Sequence, residues 1–367
     1  MDERPRHVVI DARKAFDGGI GRHLREIGRR LPGVLPGWRF TLLVTPGTGA
    51  ELEAEGFRGE PFALLDETAS KYGLAELWRL PRTVRSLGPD LYHSPHYVLP
   101  PRLPCPSIVT IHDLIHLKRP ATPLHRWYAM LAMGSACRSA RRILTVSRTS
   151  AQDIQTMLGV PADRVQVVPN GVAIPQTSRV PPTAVRYVLY IGSLKPHKNV
   201  PTLLAGFARL EIDERLELWL AGHWLREERW RRELERQAAA EGVEERVRFI
   251  GRFPDSALPG LMAGARVLVS PSWEEGFGLP ALEALAHSTP VVASGRGAHR
   301  EVLGDAARYV DGADPEGLAR AIREVLLEGP EAAAERRRRG VSRADRYSWD
   351  DAAAATAHAY RLALGPG

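Results

Sequence analysis

The sequence predicts an α/β protein built from two doubly wound parallel-sheet domains joined by a short linker. Three observations carry that reading. The chain has 367 residues, more than the roughly 250–300 at which one hydrophobic core stops growing. Residues 7–11 (HVVID) and 187–191 (YVLYI) are apolar strand patterns that each run into a glycine-containing loop and then a helical stretch, the opening unit of a doubly wound sheet. After each opening, apolar segments alternate with amphipathic ones, as parallel strands joined by crossover helices require.

In the first half the expected strands are 7–11, 40–45 (FTLLVT), 107–111 (SIVTI), 143–146 (ILTV) and 165–168 (VQVV), with a loop at 17–21 and a helix from Arg22 to Leu31. In the second half they are 187–191, 216–221 (LELWLA), 247–250 (VRFI), 266–270 (RVLVS) and 290–293 (PVVA), with a helix from Asn199 to Leu210. Residues 169–186 hold four prolines and little periodicity, which reads as a linker. The boundaries are therefore 1–172 for the first domain, 173–186 for the linker, 187–349 for the second domain and 350–367 for an Ala-rich C-terminal helix free to lie on either domain. The run Arg336 to Arg339 reads as a solvated helix face.

Composition narrows the function classes. With 44% apolar and 25% charged residues the chain is globular. No apolar run of about 18 residues occurs, and the charged N-terminus MDERPRHVVIDAR lacks the apolar core of a signal peptide, so a cytoplasmic location is expected. Two cysteines, Cys105 and Cys137, make neither a disulfide framework nor a Cys-rich metal site. The net charge of +7 is local: residues 1–175 carry 23 Lys and Arg against 16 Asp and Glu, and residues 176–367 carry 27 against 27. A basic half beside a neutral half points to an anionic partner for the first domain, a phosphate-bearing substrate or a membrane surface. Nucleic acid is not expected.

Ligands of doubly wound sheets bind beyond the carboxyl ends of the strands. The loop Gly192-Ser193-Leu194-Lys195-Pro196-His197-Lys198 follows a strand and opens a helix, where free N–H groups and the helix dipole favour a phosphate. It holds two of only five lysines in the chain, against 45 arginines. Lys198 is therefore a candidate phosphate ligand. The loop lacks the second glycine and the Lys-Ser/Thr pair of a P-loop.

The segment 270–285 (SPSWEEGFGLPALEAL) leaves a strand, passes Gly276 and Gly278 and enters a helix near Leu279-Pro280. It places Glu275 in the loop and Glu283 in the helix. The strand 107–111 ends at His112, which could hydrogen-bond a sugar hydroxyl or a developing charge. His93, His96 and His112 come without a carboxylate at helical spacing, against a zinc site. Neither Gly19-Ile20-Gly21 nor Gly295-Arg296-Gly297 completes G-x-G-x-x-G, which argues against a nicotinamide enzyme. No Asp-x-Asp occurs anywhere. A sugar-nucleotide enzyme of this sequence would neutralise its leaving diphosphate with protein groups.

Taken in order, IDARKAFDGGIGRHL (10–24), HSPHYVLP (93–100), VTIHDLIH (109–116), ILTVSRTSAQDI (143–154), VVPNGV (167–172), YIGSLKPHKN (190–199), EEGFGLPALEALA (274–286) and TPVVASGRGAHREVLGDAARYVD (289–311) resemble the retaining GT-B glycosyltransferases of family four, the glycosyl transferase group 1 type, and especially its bacterial mannosyltransferase-like members. The resemblance spans nearly the whole chain. It implies two Rossmann-like domains facing a cleft, with the C-terminal helix returning to the first. It also implies hexosyl transfer, of mannose first, from a nucleotide sugar such as GDP-mannose or a UDP-sugar, to a glycan, lipid-linked or small acceptor, with no cofactor and no metal.

By position, the resemblance makes Gly18 and Gly19 a loop over the donor diphosphate and His112 a contact to the transferred sugar. Lys198 becomes a diphosphate ligand, Glu275 a contact to the donor sugar's hydroxyls and Glu283 a ligand of the ribose. Backbone N–H groups of Phe277, Gly278 and Leu279 meet sugar and phosphate. Many members carry arginine at the positions of Ser193 and His197, so the leaving group here leans on Lys198, aided by His197, Lys195 or Arg296. Two other readings fit the same pattern: a sugar-nucleotide epimerase, and a nucleotide-sugar binding protein without catalysis. In the polysaccharide context that the resemblance implies, peripheral contact with an anionic membrane is a further expectation. It rests on His125-Arg126-Trp127-Tyr128 with Arg138, Arg141 and Arg142.

Overall fold

The computed structural model describes residues 4–71, 73, 76–175, 185–212, 215–222, 224 and 227–365. The chain divides into two compact units, Met1–Gly171 with Ser348–Gly367, and Val172–Tyr347. Residues 172–175 and the described residues from 185 to 347 thus lie in the second unit, while 176–184 of the expected linker lie outside the described residues.

The first unit runs β1 (His7–Asp11), α1 (Gly18–Val34), β2 (Arg39–Val44), α2 (Gly49–Ala54), β3 (Phe62–Asp66), α3 (Glu76–Leu87), β4 (Leu91–Ser94), β5 (Ser107–Thr110), α4 (Ile115–Lys118), α5 (Pro123–Ser139), β6 (Arg142–Thr145), α6 (Arg148–Leu158) and β7 (Val165–Val167). Its seven strands are all parallel, in the order β3-β2-β1-β4-β5-β6-β7. The second unit runs β8 (Arg186–Ile191), α7 (Val200–Ala208), β9 (Leu216–Ala221), α8 (Glu228–Ala240), β10 (Val247–Gly251), α9 (Leu258–Gly264), β11 (Val267–Ser270), α10 (Leu279–Ala286), β12 (Val291–Ala293), α11 (His299–Leu303), β13 (Arg308–Tyr309), α12 (Pro315–Leu326) and α13 (Pro330–Ala344). Its six strands are parallel in the order β10-β9-β8-β11-β12-β13. In both sheets the chain reverses its direction of winding beside the first strand, between β1 and β4 and between β8 and β11. Such switch points open crevices at the strands' carboxyl ends.

The central strands read as apolar runs because helices cover both faces of the sheet: Val8, Val9, Val188 and Leu189 are wholly buried. Three helices start at a side-chain cap. Thr122, Ser147 and Ser348 accept a backbone N–H in the first turn of α5, α6 and the last helix, α14 (Trp349–Leu364). That C-terminal helix packs along α1 in the first unit. Tyr360, wholly buried, donates or accepts with His93 Nδ1 at 2.8 Å, while His93 Nε2 meets Thr110 Oγ1 at 2.9 Å. These bonds explain why polar β4 (LYHS) is buried without a penalty.

Three strands depart from the expected set: β4 (LYHS) and β13, two residues long, carry no apolar run, while β3 (FALLD) is a short apolar run that is only partly buried. The expected loop at 17–21 is also shorter than read. Helix α1 starts at Gly18, so Gly18 and Gly19 are its first residues and not a free loop. Its Asp17 precedes the helix at the N-cap position, the signal that places the start four residues earlier than apolar periodicity does.

Candidate functional site

The second unit gathers most of the expected donor-binding residues on the loops that follow β8 and β11. Beyond β8 the chain passes Ser193, makes a 3₁₀ turn over Pro196–Lys198, and enters α7. The Ser193 carbonyl accepts from Tyr190 Oη, and the Leu194 N–H donates to the buried Glu227 carboxylate at 2.6 Å. These bonds fix the loop from beneath. The His197 carbonyl accepts from Trp273 N–H at 2.8 Å, which ties this loop to the one after β11.

Lys198 and Glu275 meet. Lys198 Nζ donates to Glu275 Oε1 at 2.7 Å, and Ser272 Oγ donates to the same oxygen at 2.7 Å. Burial alone would raise the Glu275 carboxyl; the Lys198 charge, then His299 and the two hydrogen bonds, outweigh it and bring the pKa down to about 2. Glu275 is thus a carboxylate at every working pH, and the lysine is held over a strand end by a partner 77 residues away. A carboxylate with hydrogen-bond acceptor capacity beside an ammonium suits a polyol next to a phosphate.

Three residues further on, Gly278 caps α10 with φ +86°. The N–H groups of Ala281 and Leu282 are taken up by the Gly278 carbonyl, so the turn from Phe277 to Leu279 forms the open end of the helix. Phe277 is buried edge-on against Tyr347, with ring centroids 5.5 Å apart. Glu283 lies on the second turn of α10 and is 5% exposed.

His299 is the residue that sequence reasoning missed. It is wholly buried, and its two ring nitrogens face Ser270 Oγ at 3.1 Å and Ser294 Oγ at 3.2 Å. Ser270 and Ser294 end β11 and open the loop after β12, so one imidazole braces both loops. Burial lowers its pKa to about 4, so it is neutral. A Cβ on Gly278 would come within 2.9 Å of its Cδ2, and one on Gly297 (φ +56°) within 2.6 Å of the Glu275 backbone. Both glycines are there because ring and backbone pass that closely. In the GRGAHR segment both glycines precede the histidine, and the close approaches they permit are set by the fold. Arg296, beside it, stacks on Trp273 at 5.2 Å and reaches Asp311 at 3.2 Å.

In the first unit His112 follows β5. Its Nε2 lies 3.1 Å from the Pro95 carbonyl, and burial lowers its pKa to about 4. A neutral ring that donates from Nε2 keeps Nδ1 as an acceptor. His23 packs edge-on against it at 4.8 Å and faces Asn170 Oδ1 through its own Nδ1 at 2.7 Å. His93 and His112 therefore engage protein groups, and among the described residues no cluster of three His, Cys, Asp or Glu could hold a metal.

The sequence also gave no hint of a buried charge cluster at the end of β1. Arg13, 5% exposed, binds Asp11 Oδ2 at 2.6 Å, the Ala69 carbonyl at 2.9 Å and Glu76. With Lys14, Lys71, Ser94 and His96, the residues Asp11, Arg13 and Glu76 line a small pocket of about 20 Å³, room for about one water. Burial, against the neighbouring Asp17 charge, brings the Lys14 pKa down to about 8.

Comparison with known proteins accords with this arrangement. The profile described as "Glycosyl transferases group 1" matches residues 177–344, and that of "Glycosyltransferase Family 4" matches residues 17–174. An O-antigen chain mannosyltransferase B of Escherichia coli is 33% identical over 291 residues, covering 74% of each chain. An MMP alpha-(1->4)-mannosyltransferase of Mycolicibacterium hassiacum is 34% identical over 278 residues, 71% of this chain and 66% of that one. Among solved structures, sucrose-phosphate synthase from Thermosynechococcus elongatus superposes with a TM-score of 0.80 at 20% identity, covering 98% of this chain and 99% of that one. Anabaena HepE, solved with UDP and glucose, does so with a TM-score of 0.77 at 19% identity, covering 97% and 99%. These structures share the GT-B fold. With mannosyltransferase relatives over 71–74% of its length and two family profiles matched one after the other, the chain belongs to the glycosyl transferase group 1 type of family 4 and is a hexosyltransferase.

Proposed function

We propose that the protein transfers a hexose, mannose foremost, from a nucleotide sugar to a glycan, lipid-linked or small hydroxyl acceptor, with retention of configuration and without a divalent metal. The observation that carries the reading is the Lys198–Glu275 pair, three residues before the open N-terminus of α10. The ammonium and the helix end stabilise a departing diphosphate, while Glu275 accepts from sugar hydroxyls and Glu283 from the ribose. The donor is GDP-mannose or a UDP-sugar; two relatives named as mannosyltransferases favour the first.

The chemistry follows from what the site lacks as a nucleophile. The acceptor hydroxyl attacks the anomeric carbon on the face that the diphosphate leaves. The bond from that carbon to the phosphate oxygen breaks, the bond to the acceptor oxygen forms, and the hydroxyl proton passes to a donor phosphate oxygen. His112, neutral, offers Nδ1 to a hydroxyl of the transferred sugar. Ser193 and His197 replace the arginines common in the family, so Lys198 carries the leaving-group charge here. Peripheral contact with an anionic membrane forms part of the proposal, supported by the charge excess in the first half of the chain.

The test is a panel of GDP-, UDP- and ADP-sugars in thermal shift and calorimetry, followed by product analysis with mannose-terminated acceptors. Transfer that needs an acceptor supports the reading. Conversion of the donor alone into a new sugar nucleotide would show an epimerase. Tight donor binding without transfer to any acceptor would show a binding protein.

A further inference from the structure

Three serines and one imidazole form a chain of hydrogen bonds that ends on Glu275. Ser294 opens the loop after β12, and its Oγ donates to the Ser272 carbonyl at 2.5 Å. Ser272 Oγ in turn donates to Glu275 Oε1, the oxygen that also takes Lys198 Nζ. Both bonds fall on Oε1, which leaves Oε2 to a ligand. On its other side the Ser294 hydroxyl meets His299 Nδ1 at 3.2 Å, and His299 Nε2 meets Ser270 Oγ at 3.1 Å. Ser272, Ser294 and His299 are all buried.

Donor counts fix the proton positions in this chain. A carbonyl only accepts, so the single Ser294 hydroxyl proton goes to the Ser272 carbonyl. Toward His299 the Ser294 oxygen is then an acceptor, and Nδ1 must carry the hydrogen. Burial keeps the ring neutral, with one N–H in all. Nε2 is therefore bare and accepts from Ser270 Oγ. The two ring contacts are unequal: the Nδ1 side leads through Ser294 and Ser272 to the carboxylate, whereas the Nε2 side ends on the last residue of β11. The backbone ties the same groups together, since the Ala298 N–H, next to His299, donates to the Glu275 carbonyl at 3.0 Å.

We propose that His299, as the Nδ1–H tautomer, is a positioning residue for the transferred sugar: through Ser294 and Ser272 it fixes the Glu275 carboxylate so that Oε2 meets the sugar hydroxyls. The inference rests on the sugar contact assigned to Glu275 above and names what sets its aim. The terminal torsion of a glutamate is broad, so the carboxylate takes one orientation only where its donors are themselves held. Lys198 is a long, flexible donor. Ser272 is a short one, and its backbone is pinned by a hydroxyl whose own orientation His299 completes. Bonds one step behind the ligand hold such a group to a productive angle.

The experiment measures by calorimetry, on the full chain, the affinity for an intact sugar nucleotide relative to that for its nucleoside diphosphate. GDP-mannose with GDP, and UDP-glucose with UDP, are the probes, and Glu275→Ala sets the reference fall in the ratio. Ser294→Ala should lower the ratio about tenfold, the loss of one hydrogen bond to a charged group. Ser270→Ala, which removes the hydroxyl from the other ring nitrogen, should hold it within about twofold. His299→Leu should behave like Ser294→Ala, and His299→Asn, whose amide N–H stands where Nδ1–H does, should restore most of the ratio. Nitrogen-15 spectra of the wild-type ring should show Nδ1 protonated and Nε2 bare. A fall in Ser270→Ala as large as that in Ser294→Ala marks His299 as a structural brace and overturns the proposal, as does a ring protonated on Nε2 alone. The serine pair decides even where a His299 variant does not fold. If Glu275→Ala lowers the ratio and Ser294→Ala does not, the proposal falls and the sugar contact stands. If Glu275→Ala itself leaves the ratio unchanged, the sugar contact falls and takes the proposal with it.

Discussion

Acidification to pH 5.5 should loosen the first unit far more than the second. Four histidines of the first unit are held neutral by burial: the pKa falls to about 3 for His23 and His93, about 2 for His96 and about 4 for His112. In the second unit burial holds His299 neutral in the same way, at about 4. Each folded value lies below the unfolded one of about 6.5, so the unfolded chain binds more protons and stability falls as pH drops through 6.5. Between pH 7.5 and 5.5 one such histidine costs about 1.4 kcal/mol. Four cost about 6 kcal/mol, a large part of the roughly 5–15 kcal/mol that holds a domain folded. Glu275 does not interfere, since its depressed pKa contributes stability that is lost only between its unfolded value and about 2. Hydrogen exchange read by mass spectrometry, corrected for intrinsic rates, resolves the units. Protection should collapse across 4–171 and 348–365 at pH 5.5 and persist across the second unit. Equal losses in both units, or none in the first, would refute the assignment of these rings as buried and neutral.

The other predictions concern the donor side. Lys198→Ala should lower turnover by about 10²-fold or more and release the Glu275 carboxyl upward from about 2; steady-state kinetics and carboxyl titration by NMR read both. Glu283→Ala should weaken nucleoside diphosphate and intact donor alike by about 1–3 kcal/mol, whereas Glu275→Ala should spare the nucleoside diphosphate. Calorimetry showing equal losses of nucleoside diphosphate affinity would dissolve that division. Gly278→Ala combines a φ of +86° with a contact at 2.9 Å to His299 and should cost about 2 kcal/mol in urea unfolding; an unchanged midpoint would show that the turn relaxes freely.

The legible parts of the fold are those whose chemistry is local. Segments such as YVLYI and LELWLA announce themselves because a strand covered on both faces must be apolar throughout. The segment LYHS does not, since the partner that satisfies His93 is Tyr360, 267 positions away. Helix α1 begins at glycines, poor helix formers whose role only the preceding Asp17 discloses. Lys198 and Glu275 could each be picked out as charged residues at strand ends, yet their ion pair is a product of tertiary packing. His299 and Arg13 were invisible for a related reason: each works through groups that the fold brings within reach, two serines on separate loops for His299 and, for Arg13, Glu76 on another element beside the local Asp11.

The central claim is transfer with retention in which Lys198, and no divalent metal, offsets the leaving charge. The most direct measurement is NMR of the product formed from an α-configured nucleotide sugar, GDP-mannose first, in the presence of EDTA. The account predicts an α-linked glycoside formed at an undiminished rate, and a wild-type enzyme that stops in EDTA and recovers with magnesium or manganese, or a β-linked product, would contradict it.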